Sequence, residues 1–384
     1  MTPRAITGFG VLSAVGIGRE ALMAALRQPA PKRGPVTAFD VTGYPDAATH
    51  VAEVPDFDPT RFLGDKGLRS LDRQTKLLVV AARLALHDSG LKKDGAFVIP
   101  GIGPEQVGLC ASNAYGSLEA VVELDRVAVL EEARYINPAK FPNTVANSAS
   151  GYVSIWEDLR ALNVTVSDGN CGALDTVTCA DVYLETGRAP AIVVGGGEAL
   201  SEALYVASRR LGSLMEGTLL GEGAALFVLE RVESAKARGA RVDALVLGTG
   251  TAFEPPANDG SLLHASATAM ESAVSSALRD AGVAASEVDL VVSGVSQSGV
   301  FADAELEGFT RVLGAGVPVA APKQLLGETF GAGGAMGMAT AICWMDGAAC
   351  GAMARGAVSG KVTTVVVTSL GYYGNATAVV LRRA

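Results

Sequence analysis

The sequence has few of the residues that build metal sites and disulfide frameworks. Only three histidines and five cysteines occur among 384 residues, and no two cysteines have the Cys-x-x-Cys spacing. Because the cysteine count is odd, a zinc site and a disulfide framework are both disfavoured, and we expect a reducing, cytoplasmic setting. No motif indicates a cofactor, so none is expected.

Basic charge and long apolar runs are also scarce. The net charge of −9 argues against a nucleic-acid-binding protein, which would need a basic face. The longest apolar stretch, residues 331–345, is shorter than the about 20 residues that span a bilayer, so no membrane span is expected. Residues 5–18 contain four glycines, which would break the helix of a signal peptide. We therefore predict a strand at residues 5–8.

Glycine and small apolar residues are abundant, with 46 glycines and 49% hydrophobic residues, as expected for an α/β protein of many short elements. Two halves, residues 1–240 and 241–384, show a similar order of elements, which suggests an internal duplication. The periodicity predicts helices at 69–89, 145–162, 172–185, 265–281, 303–313 and 329–344. It predicts strands at 164–166, 191–195, 224–230, 242–250, 288–295, 317–320, 362–369 and 377–382, and the strands at 164–166 and 191–195 should run parallel.

Cys171 follows a predicted turn at residues 167–170 and precedes a predicted helix. The unpaired N–H groups of a helix start favour a thiolate and can stabilise an oxyanion, so Cys171 is a candidate nucleophile. From the residues alone, a small inert cysteine in a helix cap is the favoured interpretation, and the nucleophile stays open beside it. The remaining cysteines, at 110, 179, 343 and 350, lie in apolar runs and are predicted to belong to the core.

Several segments along the chain carry recognisable motifs in a fixed order. They are residues 6–16, the Arg-Ser-Leu-Asp-Arg motif at 69–73, residues 147–151 and 195–199 on either side of Cys171, residues 221–230 with 235–240, the Lys-x-x-x-Gly-Glu-Thr segment at 323–334, and the Gly-Tyr-Tyr-Gly segment at 371–376. Taken in this order, they resemble the motifs of β-ketoacyl synthases of the thiolase superfamily. The resemblance implies an αβαβα five-layer sandwich of two duplicated halves, assembled as a dimer.

The departures from the family pattern bear on activity. The resemblance implies a nucleophilic Cys and two His that assist decarboxylation, together with a Lys. Cys171 and Lys323 match, whereas Val295 and Glu328 stand where the two His are expected. The histidines at 50, 87 and 264 match no catalytic position, although His264 could lie at a pocket mouth.

Glu328 is expected to oppose catalysis by condensation. An ionised carboxylate accepts hydrogen bonds and donates none. Near Cys171 it would repel the thiolate. The helix start lowers the pKa of Cys171, whereas Glu328 and burial raise it, so this pKa should be no lower than about 8, near the free-thiol range. Glu328 could instead serve as a general base for another acyl transfer, or donate one hydrogen bond when protonated.

Two functions remain open from the sequence. The first is a chain-length factor, a ketosynthase-like subunit that pairs with an active ketosynthase in a type II polyketide, aryl-polyene or fatty-acid-type system. The second is an active β-ketoacyl synthase or divergent acyltransferase that uses Cys171. Either function implies an acyl carrier protein as partner, and the basic residues at 66, 69, 73 and 76 could form its docking patch.

The resemblance also predicts where the acyl chain is shaped. Tyr372 and Tyr373 correspond to the family's C-terminal gate. Residues 118–130 carry more apolar positions than one intrachain stripe requires, so part of this helix should be buried by another chain. Val121 and Leu124 on this helix are predicted to line the acyl tunnel of the partner.

Overall fold

The computed structural model describes residues 1–43, 50–211, 218–257, 263–294, 299–348 and 351–384. Its strands are β1 Arg4–Ser13, β2 Gly16–Ile17, β3 Gly34–Pro35, β4 His50–Val51, β5 Lys92–Lys93, β6 Ala96–Phe97, β7 Val107–Ser112, β8 Asn163–Val166, β9 Ala191–Glu198, β10 Gly223–Arg231, β11 Ala244–Phe253, β12 Leu290–Val292, β13 Val319–Ala320, β14 Met353–Arg355, β15 Thr364–Leu370 and β16 Asn375–Arg383. Its helices are α1 Arg19–Arg27, α2 Thr60–Leu63, α3 Arg73–Asp88, α4 Leu118–Leu130, α5 Ser148–Glu157, α6 Gly172–Glu185, α7 Glu202–Arg210, α8 Val232–Ala237, α9 Ala267–Ala281, α10 Gly299–Leu313, α11 Lys323–Leu326 and α12 Gly333–Met345.

The strand order is the same in the two halves of the chain. The main sheet runs β8-β7-β9-β10-β1 in the first half and continues as β11-β16-β15-β12-β13 in the second, with β14 at the edge. In the first half, β1–β10 and β10–β9 are antiparallel, and β9–β7 and β7–β8 are parallel. In the second half, β11–β16 and β16–β15 are antiparallel, and β15–β12 and β12–β13 are parallel. This repeat of order and direction supports a duplication, while the boundary at residue 240 stays a prediction.

Helices and sheet alternate in five layers, which confirms the predicted thiolase-like sandwich. The central layer contains α6 and α12, and every residue of α12 is buried between the two halves of the sheet. α3 and α5 cover the outer face of the first half, and α9 and α10 cover that of the second. No described helix is long and apolar enough to cross a membrane.

Most predicted elements lie close to their observed positions. The helix over 172–185 and the start of the strand at 191 have the predicted bounds, and the strand at 5–8 extends to Ser13. β8 and β9 are parallel as predicted, with β7 between them. The helix predicted over 145–162 was too long, because it ends at Asp158 in a left-handed conformation and the chain then enters β8. The strand predicted over 288–295 spans only Leu290–Val292, and residues 295–298 lie outside the described chain.

Candidate active site

Cys171 lies at the start of α6, as predicted, but it is fully buried. Its thiol donates to the backbone carbonyl of Ser369 over 3.3 Å. Burial raises the pKa of Cys171 well above its ordinary value, and the carboxylates of Asp175 and Asp168 raise it further. The predicted direction is therefore confirmed. Burial, one of the two predicted causes, has the largest effect on this pKa. The other predicted cause, Glu328, is replaced by the two aspartates, which exert the largest charge effects.

Asp175 and Asp168 form a pair of carboxyl groups beside Cys171 that the sequence reasoning missed. The Thr377 hydroxyl donates to Asp175 over 2.6 Å. Burial raises the pKa of Asp175 to about 7, and its hydrogen bond with Asp168 acts in the same direction. Asp168 and Asp175 lie three residues before and four residues after Cys171. This spacing could have indicated that both carboxyl groups lie near the thiol.

Glu328 and Lys323 form a buried ion pair. The Lys323 Nζ lies 2.8 Å from Oε1 and 2.9 Å from Oε2 of Glu328, and both side chains are nearly inaccessible to solvent. Glu328 Oε1 also accepts the backbone N–H of Phe330 over 2.9 Å. The backbone of Glu328 is held as well, because its N–H donates to Leu219 and its carbonyl accepts from Gly221. The Glu328 carboxylate is therefore neutralised and held in place by its neighbours rather than left to repel Cys171.

Val295, which stands at the other expected His position, lies outside the described residues. The adjoining Gly294 N–H donates over 2.9 Å to Glu305, a buried carboxyl that sequence reasoning missed. The Thr368 hydroxyl donates to the same Glu305 oxygen over 2.6 Å. Burial raises the pKa of Glu305 above its ordinary value. Glu305 lies between Asp303 and Glu307 on α10, so nothing in the sequence distinguished it from an ordinary acidic residue of a helix.

Glu198 is a third buried carboxyl near the site. It closes the strand β9 and accepts backbone N–H groups from Ala114 (2.8 Å), Tyr115 (3.1 Å) and Gly331 (3.3 Å). Burial raises the pKa of Glu198 to about 7, although the three N–H donors lower it. The side chain thereby joins the loop after β7 to the segment that follows Glu328.

An aromatic pocket of about 240 Å³ lies beside these carboxyl groups. Tyr372 is buried and Tyr373 is half-exposed, and both line the pocket, where the sequence had placed a gate. His264 pairs with Tyr373 through the backbone. We call this cavity the aromatic pocket; it is lined by Tyr115, Leu118, Leu204, Ala207, Ser208, Leu211, Leu263, Phe301, Phe330, Tyr372 and Tyr373.

Val121 and Leu124 do not line the aromatic pocket; α4 reaches it only through Leu118. No residue of α4 is buried, and Val129 and Leu130 are 71% and 75% exposed. Tyr135 and Phe141, in the segment that packs against α4, are exposed as well. We call this apolar area, made by Val121, Val129, Leu130, Tyr135, Phe141 and Val145, the α4 surface.

Two other single residues lie somewhat differently from what the sequence suggested. Cys179 is half-buried rather than fully enclosed in the core. The Cys110 thiol donates a hydrogen bond to the Cys179 sulfur over 3.9 Å, and this bond lowers the pKa of Cys179 to about 7. The Arg73 guanidinium forms an ion pair with the buried Glu222, so it does not contribute a free positive charge to the possible docking patch at residues 66–76. Cys110 and Cys343 are buried as predicted, and Cys350 lies outside the described residues.

Models of known families match nearly the whole chain. The β-ketoacyl synthase N-terminal domain matches residues 1–235, and the β-ketoacyl synthase C-terminal domain matches residues 244–353. The 3-oxoacyl-[acyl-carrier-protein] synthase 2 of Vibrio harveyi is 30% identical, over 86% of this chain and 83% of its own. The actinorhodin polyketide putative beta-ketoacyl synthase 2 of Streptomyces coelicolor is 27% identical, over 88% of this chain and 84% of its own.

Solved structures share the fold of this chain. The ishigamide ketosynthase/chain length factor superimposes with a TM-score of 0.89 at 25% identity, over 100% of this chain and 99% of the other. A β-ketoacyl synthase from Burkholderia phymatum superimposes with a TM-score of 0.87 at 23% identity, over 100% of both chains. Because the two family models together match most of its residues, the chain belongs to the β-ketoacyl synthase family.

Proposed function

We propose that this chain is a chain-length-factor-type subunit that pairs with an active ketosynthase and does not itself condense acyl units. The observation that carries the proposal is the buried pair of Glu328 with Lys323. A group that assists malonyl decarboxylation must donate hydrogen bonds to a developing negative charge. Glu328 brings negative charge instead, and its pairing occupies the one lysine of the motif.

The state of Cys171 supports the same proposal. Its thiol is buried, donates to Ser369, and has its pKa raised by burial and by Asp175 and Asp168. A thiol takes up an acyl group as the thiolate, which this environment disfavours. Asp175 and Asp168 place carboxyl groups beside the start of α6, where an activated thiol would need a positively charged neighbour.

The α4 surface supports a protein partner. Its exposed apolar side chains lie on one helix and on the segment packed against it, as is typical of an interface. We propose that an active ketosynthase covers this surface and that an acyl carrier protein delivers the chain to the pair. The system would be of the type II polyketide, aryl-polyene or fatty-acid kind.

The test is decarboxylation by the purified chain. We expect no CO₂ release from malonyl-carrier protein above the rate without protein, and release once the partner ketosynthase is added. The matched control is the Cys171→Ala variant, which should leave the activity of the pair unchanged. Turnover by the isolated chain that Cys171→Ala abolishes would contradict the proposal.

The alternative is an acyltransferase that uses Cys171, and its retention at the start of α6 is the observation in favour. This function requires a covalent acyl group on the cysteine. Incubation with acyl-carrier protein followed by mass spectrometry of the intact chain separates the two. An acyl adduct that Cys171→Ala removes favours the acyltransferase, whereas an unmodified chain favours the chain-length factor.

A further inference from the structure

Aromatic residues are concentrated around one pocket. They make up 5% of the whole sequence, yet five of the eleven residues that line the aromatic pocket are Phe or Tyr. General hydrophobic burial would favour Leu, Val and Ala, which dominate the rest of this core. The enrichment therefore indicates a ligand that π faces recognise better than alkyl side chains do.

The rings present both edges and faces. Phe301 meets Tyr372 edge to face with ring centroids 4.8 Å apart, and Tyr115 meets Phe330 in the same way at 5.3 Å. Aromatic groups attract one another in edge-to-face and offset-stacked arrangements, and this attraction adds to the gain from the area they bury. A flat conjugated ligand gains this attraction from the rings, and a saturated chain of equal length does not.

Phe330 is held in place before any ligand binds. Its backbone has a φ of +39°, a conformation that bulky residues rarely adopt, and its N–H donates to Glu328. The neighbouring Gly331 N–H donates to Glu198. Because the surrounding carboxyl groups hold this strained backbone, the ring is preorganised at the pocket wall.

The size and polarity of the pocket restrict the ligand further. About 240 Å³ is less than the roughly 300–1,000 Å³ of sites for drug-sized molecules, so one short group fits. None of the lining side chains carries a formal charge at neutral pH. The Ser208 hydroxyl already donates to the Tyr205 carbonyl over 2.8 Å. The ligand is therefore uncharged and largely apolar.

We propose that the aromatic pocket binds a short, planar, conjugated acyl group, such as a dienoyl or aryl-acyl chain, presented as a thioester. This inference rests on the proposed function, because acyl thioesters are the ligands of a subunit in a carrier-protein system. All the lining residues belong to this chain, so the preference for a conjugated group is a property of the isolated protein.

The test compares two thioesters with equal carbon counts. Equilibrium dialysis of the purified chain measures the Kd of 2,4-hexadienoyl- and hexanoyl-N-acetylcysteamine. We expect the dienoyl thioester to bind about three- to ten-fold more tightly. Equal affinity, tighter binding of the hexanoyl compound, or no binding of either compound would overturn the proposal.

Two variants test whether the aromatic rings of the pocket cause the preference for the dienoyl thioester. Phe301→Leu keeps an apolar side chain, so we expect hexanoyl affinity to stay within two-fold while the dienoyl preference falls towards one. Phe330→Leu should act in the same way, and Phe141→Leu, at an exposed aromatic away from the pocket lining, serves as the control. A preference that survives both pocket variants would refute the assignment. CO₂ release by the chain would refute the proposed function and leave this preference measurable, so the two can fail separately.

Discussion

At the scale of single residues, Glu328 and Lys323 stabilise each other in a region without solvent. Both side chains are almost completely buried, and each oxygen of the carboxylate lies within 2.9 Å of the lysine nitrogen. Two charges pair well in such an environment, whereas one charge left alone is costly. The pair therefore acts as a unit, and its two members cannot be exchanged separately without cost.

Lys323→Met leaves the Glu328 carboxylate buried without its partner. We expect the free energy of unfolding to fall by about 3–5 kcal/mol, because an uncompensated charge stays in the core. The double variant Lys323→Met with Glu328→Leu removes both charges and should lose much less. Urea unfolding of the three proteins measures the difference, and a single variant as stable as the native chain would show that the pair does not matter.

The thiol of Cys171 should react slowly with alkylating agents. Burial and the two neighbouring aspartates raise its pKa, so iodoacetamide labelling should rise only above about pH 8. Cys179 is an internal control, since it is half-buried and has a pKa lowered to about 7. Peptide mass spectrometry against pH resolves the two sites. Labelling of Cys171 with a midpoint below about pH 6 would mean that the thiol is activated after all.

At the scale of elements, Glu198 connects three segments that the chain brings together from distant positions. It stands at the end of β9, and its carboxylate accepts N–H groups from the loop before α4 and from the segment after Glu328. These segments carry Tyr115 and Phe330 of the aromatic pocket. A carboxyl at the end of a buried strand therefore sets the spacing of two pocket walls.

Glu198 also makes stability depend on pH. The carboxyl has a pKa near 4.5 when unfolded and about 7 when folded, so the folded chain holds the extra proton between these values. The free energy of unfolding contributed by Glu198 is then fully present below pH 4.5 and decreases as pH rises towards 7, by about 3 kcal/mol.

The measurement is the difference in unfolding free energy between the native chain and Glu198→Gln at several pH values. We expect the native chain to lose stability relative to Glu198→Gln as the pH rises from 4.5 to 7. Above pH 7 the difference should stay constant. Glu233→Gln, at an exposed position on α8, should show no such shift. A difference that stays constant with pH would contradict the role given to Glu198.

At the scale of the whole molecule, the α4 surface is where we expect the proposed partner subunit to bind. An isolated soluble chain rarely leaves a helix without a single buried residue and with adjoining aromatics exposed. β8 lies at the end of the sheet, and of its four residues one is exposed and three are half-buried. Both features are consistent with the proposed partner subunit.

Large side chains on α4 should change the product of the pair. In a complex with the active ketosynthase, Val121→Trp or Leu124→Trp should shorten the product, because the added ring fills space that the partner's tunnel uses. Decarboxylation should persist, since neither residue touches the groups around Cys171. Chromatography of the products measures chain length, with Val98→Trp as the control at an exposed position. An unchanged product distribution from an intact complex would refute the role of α4.

The sequence determined most of the fold by itself. Helix α6 has its predicted bounds, β8 and β9 are parallel, and the order of motifs identified the family, because periodicity and turn residues report on local structure. The candidate residues Cys171, Lys323 and Glu328 also followed from motif positions alone.

Only the tertiary structure decided how these residues act. It paired Glu328 with Lys323, set Asp175 and Asp168 against Cys171, and placed Glu198 under two loops. It also assembled the aromatic pocket from segments more than 200 residues apart. Electrostatic and packing energies depend on distances between such segments, and no local pattern in the sequence contains those distances.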